Sequence, residues 1–356
     1  MFNPVVNFST GFSYYVDMLN KAYINLIQLK KNALAIKRKL KKGVKFCAVV
    51  KADAYGPGAS IVASALYPLV DYFAVALPEE GVSLRQSGID KPILVLTTLN
   101  KEDYEIVVRY NLTATIVSKK EVRGLEREAS YQKKKVKVHL KYNTGMNRQG
   151  VDSLKELEEL VKYILKLKHV EIEGMYSHFA NPQNKKDRKD AENKFLLANN
   201  LVKRYNNKAI CHISASGGFL AGVQADMVRI GILLYGYKPF KSQLVSVSPI
   251  MKLYAPVINR RRLSKGESAL YGKNPTKEQT EITLIRYGYA DGLNRKASGN
   301  QFNNRCMDIT AVVEESSGKL QYEVLGNADK LAKEQNTISY EILTKVAIRA
   351  QKIYIT

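Results

Sequence analysis

The sequence predicts an α/β protein with an N-terminal (β/α)8 TIM-type barrel, followed by a C-terminal domain that is mostly β. Two observations carry this prediction. Eight short β-rich runs alternate with helix-like stretches before about residue 245, and such alternation is typical of a parallel sheet. Beyond that point, strand-like runs follow one another with turn-rich spacers and little helix, as in a separate β domain.

The eight predicted strands of the first domain are mostly apolar, as strands buried on both faces should be. Between them, residues 152–168 are one clear helix candidate, with leucine and valine at helical spacing. A doubly wound open sheet has the same alternation, so the pattern leaves that architecture open. The predicted strands are 44–50, 71–77, 92–98, 113–118, 135–143, 171–179, 209–216 and 227–236.

The second domain is predicted for residues 246–356, after a first domain of residues 1–245. A chain of 356 residues is long enough for two domains with sizeable cores. The strand-like runs of the second domain are IMKLYAPVI, ITLIRYGYA, MDITAVVEE, QYEVLG and VAIRAQKIYI.

Composition is ordinary for a folded protein except for its charge. Hydrophobic residues make up 45% and charged residues 25%. The formal net charge is +23, an excess found in proteins that bind nucleic acid or anionic membranes. No helix-turn-helix, RNA-binding or zinc module accompanies the basic clusters at 30–42, 133–135 and 260–262. We therefore expect a solvated basic surface and no nucleic-acid partner; an inactive cofactor carrier or nucleic-acid-binding protein is the alternative from another class.

Cysteines and histidines show no pattern of disulfides or metal ligands. Cys47, Cys211 and Cys306 are far apart and odd in number, and the four histidines lack metal-ligand spacing. No apolar run reaches the length of a membrane span. The first 20 residues lack the basic start and compact apolar core of a signal peptide. We expect no metal, no membrane association and a cytoplasmic location.

Reactive side chains gather at the carboxyl ends of predicted strands, where barrels of this type carry their active sites. Lys51 ends the first strand, before a tyrosine and a glycine-rich turn; later strands end near His178 and Ser216, and the eighth carries Arg229. Taken singly, a solvated lysine, a core histidine and a buried ion-pair arginine would explain them. Together they suggest pyridoxal phosphate, which needs a desolvated, nucleophilic lysine and backbone N–H groups that approach a phosphate.

Nine segments resemble those of the alanine racemase family, in the family's order from about residue 20 to the end. AVVKADAYGPG (48–58) resembles the family's cofactor attachment motif. The resemblance implies a (β/α)8 barrel with a β domain, pyridoxal 5′-phosphate as cofactor, and interconversion of L- and D-alanine, which supplies D-alanine for peptidoglycan. The other segments are KYNTGMNRQG, GMYSHFA, HISASGG, VRIGILLYG, LYGKNPT, RYGYADGLNR, RCMDIT and SYE.

The resemblance also implies catalytic roles. Lys51 would hold the cofactor covalently and act as one base, while Tyr271 from the partner subunit of a homodimer would be the other. Two fixed bases suit a reaction in which a proton leaves one face of the α-carbon and returns to the other. His178 would assist Tyr271, and Arg229 would face the pyridine nitrogen, to which a guanidinium can only donate.

The remaining implied contacts concern phosphate and substrate. Lys141 matches a lysine that is often carbamylated in the family, with an unmodified strand lysine as the alternative. The cofactor would be held by Lys51, Tyr55, His178, Ser216, Arg229, Gly231, Ile232 and Tyr340. The substrate would contact Arg148, Met307, Tyr271 and Tyr289.

Some positions depart from the family pattern and suggest a divergent member. Pro57 stands where histidine is usual, Asn143 where aspartate is usual, Ala215 where asparagine is usual and Ile230 where proline is usual. These departures leave open a racemase for another or broader range of amino acids, such as serine. A related barrel-fold decarboxylase is a further alternative, against which Tyr271 and the pyridine-facing arginine argue.

Overall fold

The computed structural model describes residues 19–272, 274–296, 305–313 and 318–356. Most of the N-terminal segment considered for a signal peptide, and residues 314–315 of a predicted strand, lie outside these ranges. Contacts divide the chain into a barrel unit, Gln28–Ser248, and a C-terminal unit formed by Pro249–Thr356 together with Met1–Ile27. The predicted first domain includes residues 1–27; the first described strand, Lys21–Asn25, instead pairs with strands of the C-terminal unit, as described below.

The described strands are labelled in chain order, and β1 (Lys21–Asn25) belongs to the C-terminal unit. Each of the eight barrel strands overlaps one of the eight predicted runs. The barrel strands are β2 (Lys45–Val49), β3 (Tyr72–Val75), β4 (Ile93–Val95), β5 (Ala114–Ile116), β6 (Val136–Lys141), β7 (Val170–Tyr176), β8 (Ile210–His212) and β9 (Met227–Ile230). The later strands are β10 (Met251–Leu263), β11 (Thr280–Ile285), β12 (Thr310–Val313), β13 (Gln321–Leu325) and β14 (Gln351–Ile355).

Helices follow most barrel strands and pack apolar faces inward. Leu157, Leu160 and Val161, for example, are buried on the helix predicted within residues 152–168. The described α-helices are α1 (Leu26–Lys37), α2 (Ala59–Leu66), α3 (Pro78–Gln86), α4 (Asp103–Arg109), α5 (Lys119–Tyr131), α6 (Leu154–Ile164), α7 (Lys185–Tyr205), α8 (Ser216–Leu220), α9 (Ala328–Glu334) and α10 (Ser339–Val346). Short 3₁₀ helices occupy Tyr67–Leu69 and Tyr289–Asp291. None of the described helices is both long and apolar enough to cross a membrane.

The barrel unit, all of whose residues are described, closes from two parallel four-stranded sheets. Their orders are β4-β3-β2-β9 and β5-β6-β7-β8. Parallel bridges join the sheets at Leu94–Thr113 and Ala215–Arg229, and the Arg229 amide donates to Ser214 O at 2.9 Å. The predicted (β/α)8 barrel is therefore confirmed, and the open-sheet alternative is excluded.

The C-terminal unit is built on a sheet whose described strands run β12-β11-β10-β1-β14, with β13 also paired to β10. Strand β1 lies antiparallel to β10 and parallel to β14, which explains its place in this unit. A small core of Leu263, Ala269, Ile282 and Ala311 packs within it. The predicted mostly-β character is confirmed, but helices α9 and α10 were not predicted, since each is short and begins among polar residues.

Candidate functional site

Lys51 begins a left-handed turn directly after β2. Residues 52–55 have φ angles between 51° and 60°, a conformation that costs L-residues about 1–2 kcal/mol each. The lysine side chain is half-buried at this turn. Burial lowers the pKa of Lys51 and the charge of Arg148 lowers it further, while Glu80 opposes both. A lysine with a lowered pKa has the neutral amine that attacks a carbonyl carbon.

Glu80, on α3, supports this turn through backbone hydrogen bonds. Its Oε1 accepts from Ala52 N at 2.6 Å. Its Oε2 accepts from Ala76 N at 2.7 Å and from Leu77 N at 3.1 Å. One carboxylate therefore ties the start of the left-handed turn to the end of β3, and these bonds offset part of the strain. Glu80 was not predicted as a site residue, because nothing in its spacing along the sequence links it to Lys51.

Tyr55, Ser216 and Gly231 converge at one end of the barrel unit. Gly231 N donates to Ser216 Oγ at 3.2 Å. A β-carbon on Gly231 would lie 2.5 Å from the Tyr55 hydroxyl oxygen, so only glycine fits beside this tyrosine. The Tyr55 ring is held against Tyr235 at a centroid distance of 4.7 Å. Two hydroxyl groups and the Gly231 peptide, followed by buried Ile232, form a polar cradle suited to phosphate oxygens.

Arg229, on β9, is buried and makes donor contacts to four residues. Its Nη1 lies 2.5 Å from His212 Nδ1. Its Nη2 donates to Ser177 O at 2.7 Å and Ile213 O at 3.1 Å, and lies 3.2 Å from His178 Nδ1. Among the described residues, no carboxylate lies within ion-pair distance of this guanidinium. Burial lowers the pKa of Arg229 to about 10, which leaves it protonated at neutral pH.

The contact with Arg229 determines where neutral His178 carries its proton. Arginine can only donate, so His178 Nδ1 must accept, and the imidazole proton is on Nε2. Burial lowers the pKa of His178 well below its usual value, and the charge of Arg229 adds to the effect. His178 is thus a neutral ring whose Nε2–H is a hydrogen-bond donor.

Tyr176, which sequence reasoning missed, forms an aromatic platform beside Arg229. Lys141 Nζ lies 3.8 Å from its ring centroid, and the Arg229 Cζ lies 4.9 Å from it. On the same ring, His212 stacks with an interplanar angle of 4°. Lys141 is 5% exposed; burial lowers its pKa well below the usual value, with further lowering from Arg229. Tyr176 precedes His178 by two residues, the period of one strand face, and that spacing was the available signal.

Arg148 lies on the loop after β6, which Asn143 organises. Asn143 Oδ1 accepts from Gly145 N at 3.0 Å and Asn147 N at 3.1 Å. Its Nδ2 donates to Asn147 Oδ1 at 2.9 Å and to Asp152 Oδ1 at 2.7 Å. An asparagine at this position keeps an acceptor for the loop amides and adds a donor to the neighbouring carboxylate. Arg148 itself is exposed.

The other family departures also fit the local backbone. Pro57 sits between Gly56 and Gly58, whose φ angles are 103° and 111°, so the turn is stiffened at its centre. Ile230 pairs with Ala48 at the end of β9. Ala215 forms the parallel bridge to Arg229 that helps close the barrel.

Four candidate residues belong to the C-terminal unit. Tyr271 is 67% exposed and Met307 is 54% exposed. Tyr289 and Met307 lie on adjoining segments, because Ala290 N donates to Met307 O at 2.9 Å. Burial raises the pKa of Tyr340 to about 12, so its phenol stays protonated at neutral pH.

The structure therefore gathers most predicted residues within one unit. The chemistry it collects there is a lysine of lowered pKa, a polar cradle, and a buried guanidinium bordered by imidazoles. Among the residues described, no cluster of three or more histidine, cysteine or acidic side chains could bind a metal ion. The residues gathered in the barrel unit are Lys51, Tyr55, Lys141, Arg148, His178, Ser216, Arg229, Gly231 and Ile232.

Two family descriptions match almost the whole chain. Residues 24–239 match "Alanine racemase, N-terminal domain", and residues 250–354 match "Alanine racemase, C-terminal domain". Among curated proteins, "Alanine racemase 2" of Caldanaerobacter subterraneus subsp. tengcongensis is 34% identical over 93% of this chain and 94% of its own length.

Solved structures show the same fold. Alanine racemase of Clostridium difficile 630 superimposes with a TM-score of 0.87 at 31% identity, covering 94% of this chain and 95% of that one. Alanine racemase from Bartonella henselae, described as having covalently bound pyridoxal phosphate, superimposes with a TM-score of 0.80 at 26% identity, covering 95% and 99%.

Proposed function

The chain belongs to the alanine racemase family and is an isomerase of that class, and from this premise we propose how its residues carry out the reaction. It interconverts L- and D-alanine with pyridoxal 5′-phosphate, using Lys51 and the partner subunit's Tyr271 as bases. The observation that carries the proposal is the half-buried Lys51, whose pKa is lowered, at a strand end of the barrel unit that also holds the cradle around Gly231.

The residues of the barrel unit fit this cofactor. Tyr55, Ser216, Gly231 and Ile232 suit the phosphate, since a β-carbon at Gly231 would fill the space that the tyrosine oxygen occupies. Arg229 suits the pyridine nitrogen as a pure donor. When bound, the cofactor supplies an electron sink for the α-carbanion. We assign Tyr340 to the same phosphate group by its match to the family.

Lys51 and Tyr271 act as the two proton-transfer groups. Burial and neighbouring positive charge keep the Lys51 amine easy to deprotonate, so it suits removal of an α-proton. A tyrosine free in water, with a pKa near 10, is ionised in only about one molecule in a thousand at pH 7, a deficit of roughly 4 kcal/mol. The Nε2–H of His178 supplies a donor that stabilises the phenolate and reduces this deficit.

This assignment requires a homodimer with an active site shared between subunits, and we place the protein in the cytoplasm. Tyr271 is 67% exposed and Met307 is 54% exposed in the single chain, and such exposure suits side chains that enter a partner's site. Met307, Tyr289 and Arg148 would contact the substrate, with Arg148 pairing its carboxylate.

Carbamylation of Lys141 would give the site a negative group among positive neighbours. The buried Lys141 amine has a pKa lowered by burial, then by Arg229 and Arg148, and a neutral amine is the form that combines with CO₂. The carbamate would pair with Arg148. Nuclear magnetic resonance after growth in ¹³C-bicarbonate should show one carbamate carbon, which should be absent from Lys141→Met.

The primary test measures both the attachment of the cofactor to Lys51 and racemase activity. Reduction of the holoenzyme with borohydride should fix the cofactor to one peptide, and that peptide should contain Lys51. Purified protein should form D-alanine from L-alanine. A label on another lysine would refute the attachment site, and loss of racemisation with correct labelling would refute the substrate assignment.

Substrate range and the basic surface are tested separately. Turnover of alanine should exceed that of serine and of larger amino acids; equal turnover would indicate a broad-range racemase. Duplex DNA should not bind at physiological salt. A complex with a steep salt dependence would favour a nucleic-acid role for the +23 charge.

A further inference from the structure

A row of buried side chains connects Arg229 with a carboxylate that the arginine itself does not touch. After the 2.5 Å contact from Arg229 Nη1 to His212 Nδ1, His212 Nε2 lies 2.9 Å from His139 Nδ1. His139 Nε2 makes no hydrogen bond, and the nearest acidic oxygen, Glu173 Oε2, lies 3.4 Å from it. All four residues lie in the barrel unit, on consecutive strands: His139 on β6, Glu173 on β7, His212 on β8 and Arg229 on β9.

The two ends of this row fix the position of every proton between them. Arginine only donates, so His212 Nδ1 accepts and its Nε2 carries hydrogen. That hydrogen points to His139 Nδ1, which leaves the proton of His139 on Nε2, facing Glu173. An ionised carboxylate attracts an N–H, so Glu173, 3.4 Å from His139 Nε2, favours the same direction. Both imidazoles are therefore neutral Nε2–H tautomers, aligned from guanidinium to carboxylate.

The surroundings of the two rings support this assignment. His139 and His212 are each 0% exposed. Burial lowers the pKa of both rings; for His212 the charges of Arg229 and then His139 and Lys141 add to the effect. For His139, Glu173 opposes the lowering, while Arg229 and Lys137 assist it. Neither ring is therefore a cation at neutral pH.

Hydrogen bonds keep Glu173 ionised, so it is the negative end of this row of side chains. Its Oε1 accepts from Lys137 Nζ at 2.8 Å, and its Oε2 accepts from the hydroxyl groups of Tyr72 at 2.5 Å and Thr113 at 3.3 Å. Burial alone would raise the pKa of Glu173, but the nearby His139 and the hydrogen bonds from Lys137 and Tyr72 outweigh it and hold the pKa well below its usual value. The carboxylate is therefore ionised at neutral pH.

Local backbone geometry makes room for the row. The pairing of β6 and β7 shifts register where His139 aligns with Gly174 after Val138 aligns with Ile172, so Glu173 sits in a bulge. A β-carbon on Gly174 would lie 2.7 Å from His139 Cε1 and 2.3 Å from Ile210 O. The bulge and the glycine together allow the His139 ring to occupy the interior beside Glu173.

We propose that Glu173, acting through His139 and His212, is a positioning residue that serves as the distant counter-charge of Arg229 and fixes the direction in which its guanidinium donates. This proposal rests on the proposed function only in giving Arg229 the pyridine nitrogen as its other partner. Glu173 touches neither substrate nor cofactor. It keeps a buried cation oriented without placing a carboxylate beside the cofactor ring.

The tautomers are tested in the cofactor-free protein. With ¹⁵N-labelled histidine, the chain gives only four imidazoles, and His139→Gln and His212→Gln assign two of them. Both rings should show Nε2–H with unprotonated Nδ1 at neutral pH. An Nδ1–H tautomer or an imidazolium at either ring would overturn the proposal.

Coupling between the two ends is tested by a double-mutant cycle on thermal unfolding of the same cofactor-free protein. Glu173→Gln should lower Tm, and this loss should shrink by roughly half or more when Arg229→Gln is also present. Glu171→Gln is the matched control, because Glu171 lies on the same strand and pairs with Lys135 at 2.5 Å. Its effect should be equal in both backgrounds, and an additive result for Glu173→Gln would contradict the proposed counter-charge.

Kinetics of the holoenzyme separate positioning from stability. Glu173→Gln should lower kcat about tenfold with little change in KM, whereas Glu171→Gln should keep both. An unchanged kcat in fully folded Glu173→Gln would refute the positioning role. If the protein racemises alanine but the losses of Tm in the double-mutant cycle are additive, only the inference about Glu173 is refuted. Coupled stabilities without cofactor attachment at Lys51 would instead refute the proposed function.

Discussion

The hydroxyl oxygen of Tyr55 lies where it would be 2.5 Å from a β-carbon on Gly231. Gly231→Ala should therefore push the tyrosine out of the cradle and weaken cofactor binding by about tenfold or more. Equilibrium titration with pyridoxal phosphate measures this change. Adding Tyr55→Phe removes the oxygen from the collision and should restore part of the Tm that Gly231→Ala loses. Unchanged cofactor affinity in Gly231→Ala would contradict the position of the cradle.

Glu80 should stabilise the left-handed turn more than any exposed neighbour does. Glu80→Gln replaces an acceptor oxygen with an NH₂ group that cannot accept from backbone N–H groups, so we expect a loss of about 1–3 kcal/mol. Glu79→Gln, an exposed substitution one residue away, is the control and should change little. Chemical denaturation measures both variants, and equal losses would show that the turn does not depend on Glu80.

The ring and the hydroxyl group of Tyr176 should contribute separately. Its hydroxyl contacts Thr115 Oγ1 at 2.9 Å and Leu96 O at 3.0 Å, so Tyr176→Phe should cost about 1 kcal/mol of stability. Tyr176→Leu also removes the surface under Lys141 and Arg229 and should cost about 3 kcal/mol or more. Racemase activity should survive the first change and fall strongly with the second. Similar activities in the two variants would argue against a role for the ring face.

Lys141 should make the cofactor-free protein pH-sensitive when CO₂ is excluded. Because burial lowers its pKa, the unfolded chain binds more protons at pH values between the folded and the ordinary lysine pKa. Stability should therefore rise with pH across that interval. The stability of Lys141→Met should depend less on pH across the interval and should be higher at the low-pH end. Lys166→Met, at an exposed site, should keep the pH dependence of the parent protein. Parallel curves for the parent protein and Lys141→Met would contradict the assignment.

A shared active site predicts complementation between two inactive subunits. Lys51→Ala should lose cofactor attachment, and Tyr271→Phe should lose at least about a hundredfold of activity, because one proton-transfer group is missing. After subunit exchange, mixed dimers contain one site with both groups intact, so activity should return toward one quarter of the parent level. Exchange is checked by native mass spectrometry. Verified exchange without recovered activity would place both bases in one chain.

Strand positions and the chemistry at strand ends followed from the sequence. Lys51 was found because a buried apolar run ends beside it, and Arg229 because the eighth predicted strand carries it. The left-handed turn after Lys51 was not predicted, since alanine and tyrosine do not favour positive φ and the bond from Ala52 N to Glu80 joins residues distant in sequence. His139 and Glu173 were missed for a related reason: their neighbours across the barrel interior are distant in sequence. Strand β1 is similar, because its five residues become a strand only by pairing with two others.

That pairing of β1 has a consequence for how the molecule is made. Lys21–Asn25 forms hydrogen-bonded registers with Met251–Tyr254 and with Gln351–Ile355, so this segment must wait for two much later segments to be synthesised before it can pair. The barrel is an insertion within the other unit and can complete its own strand pairing earlier. Synthesis of β14 thus sets when the sheet can close. Removing the last six residues should expose the edge of β1 and cause association between nascent copies.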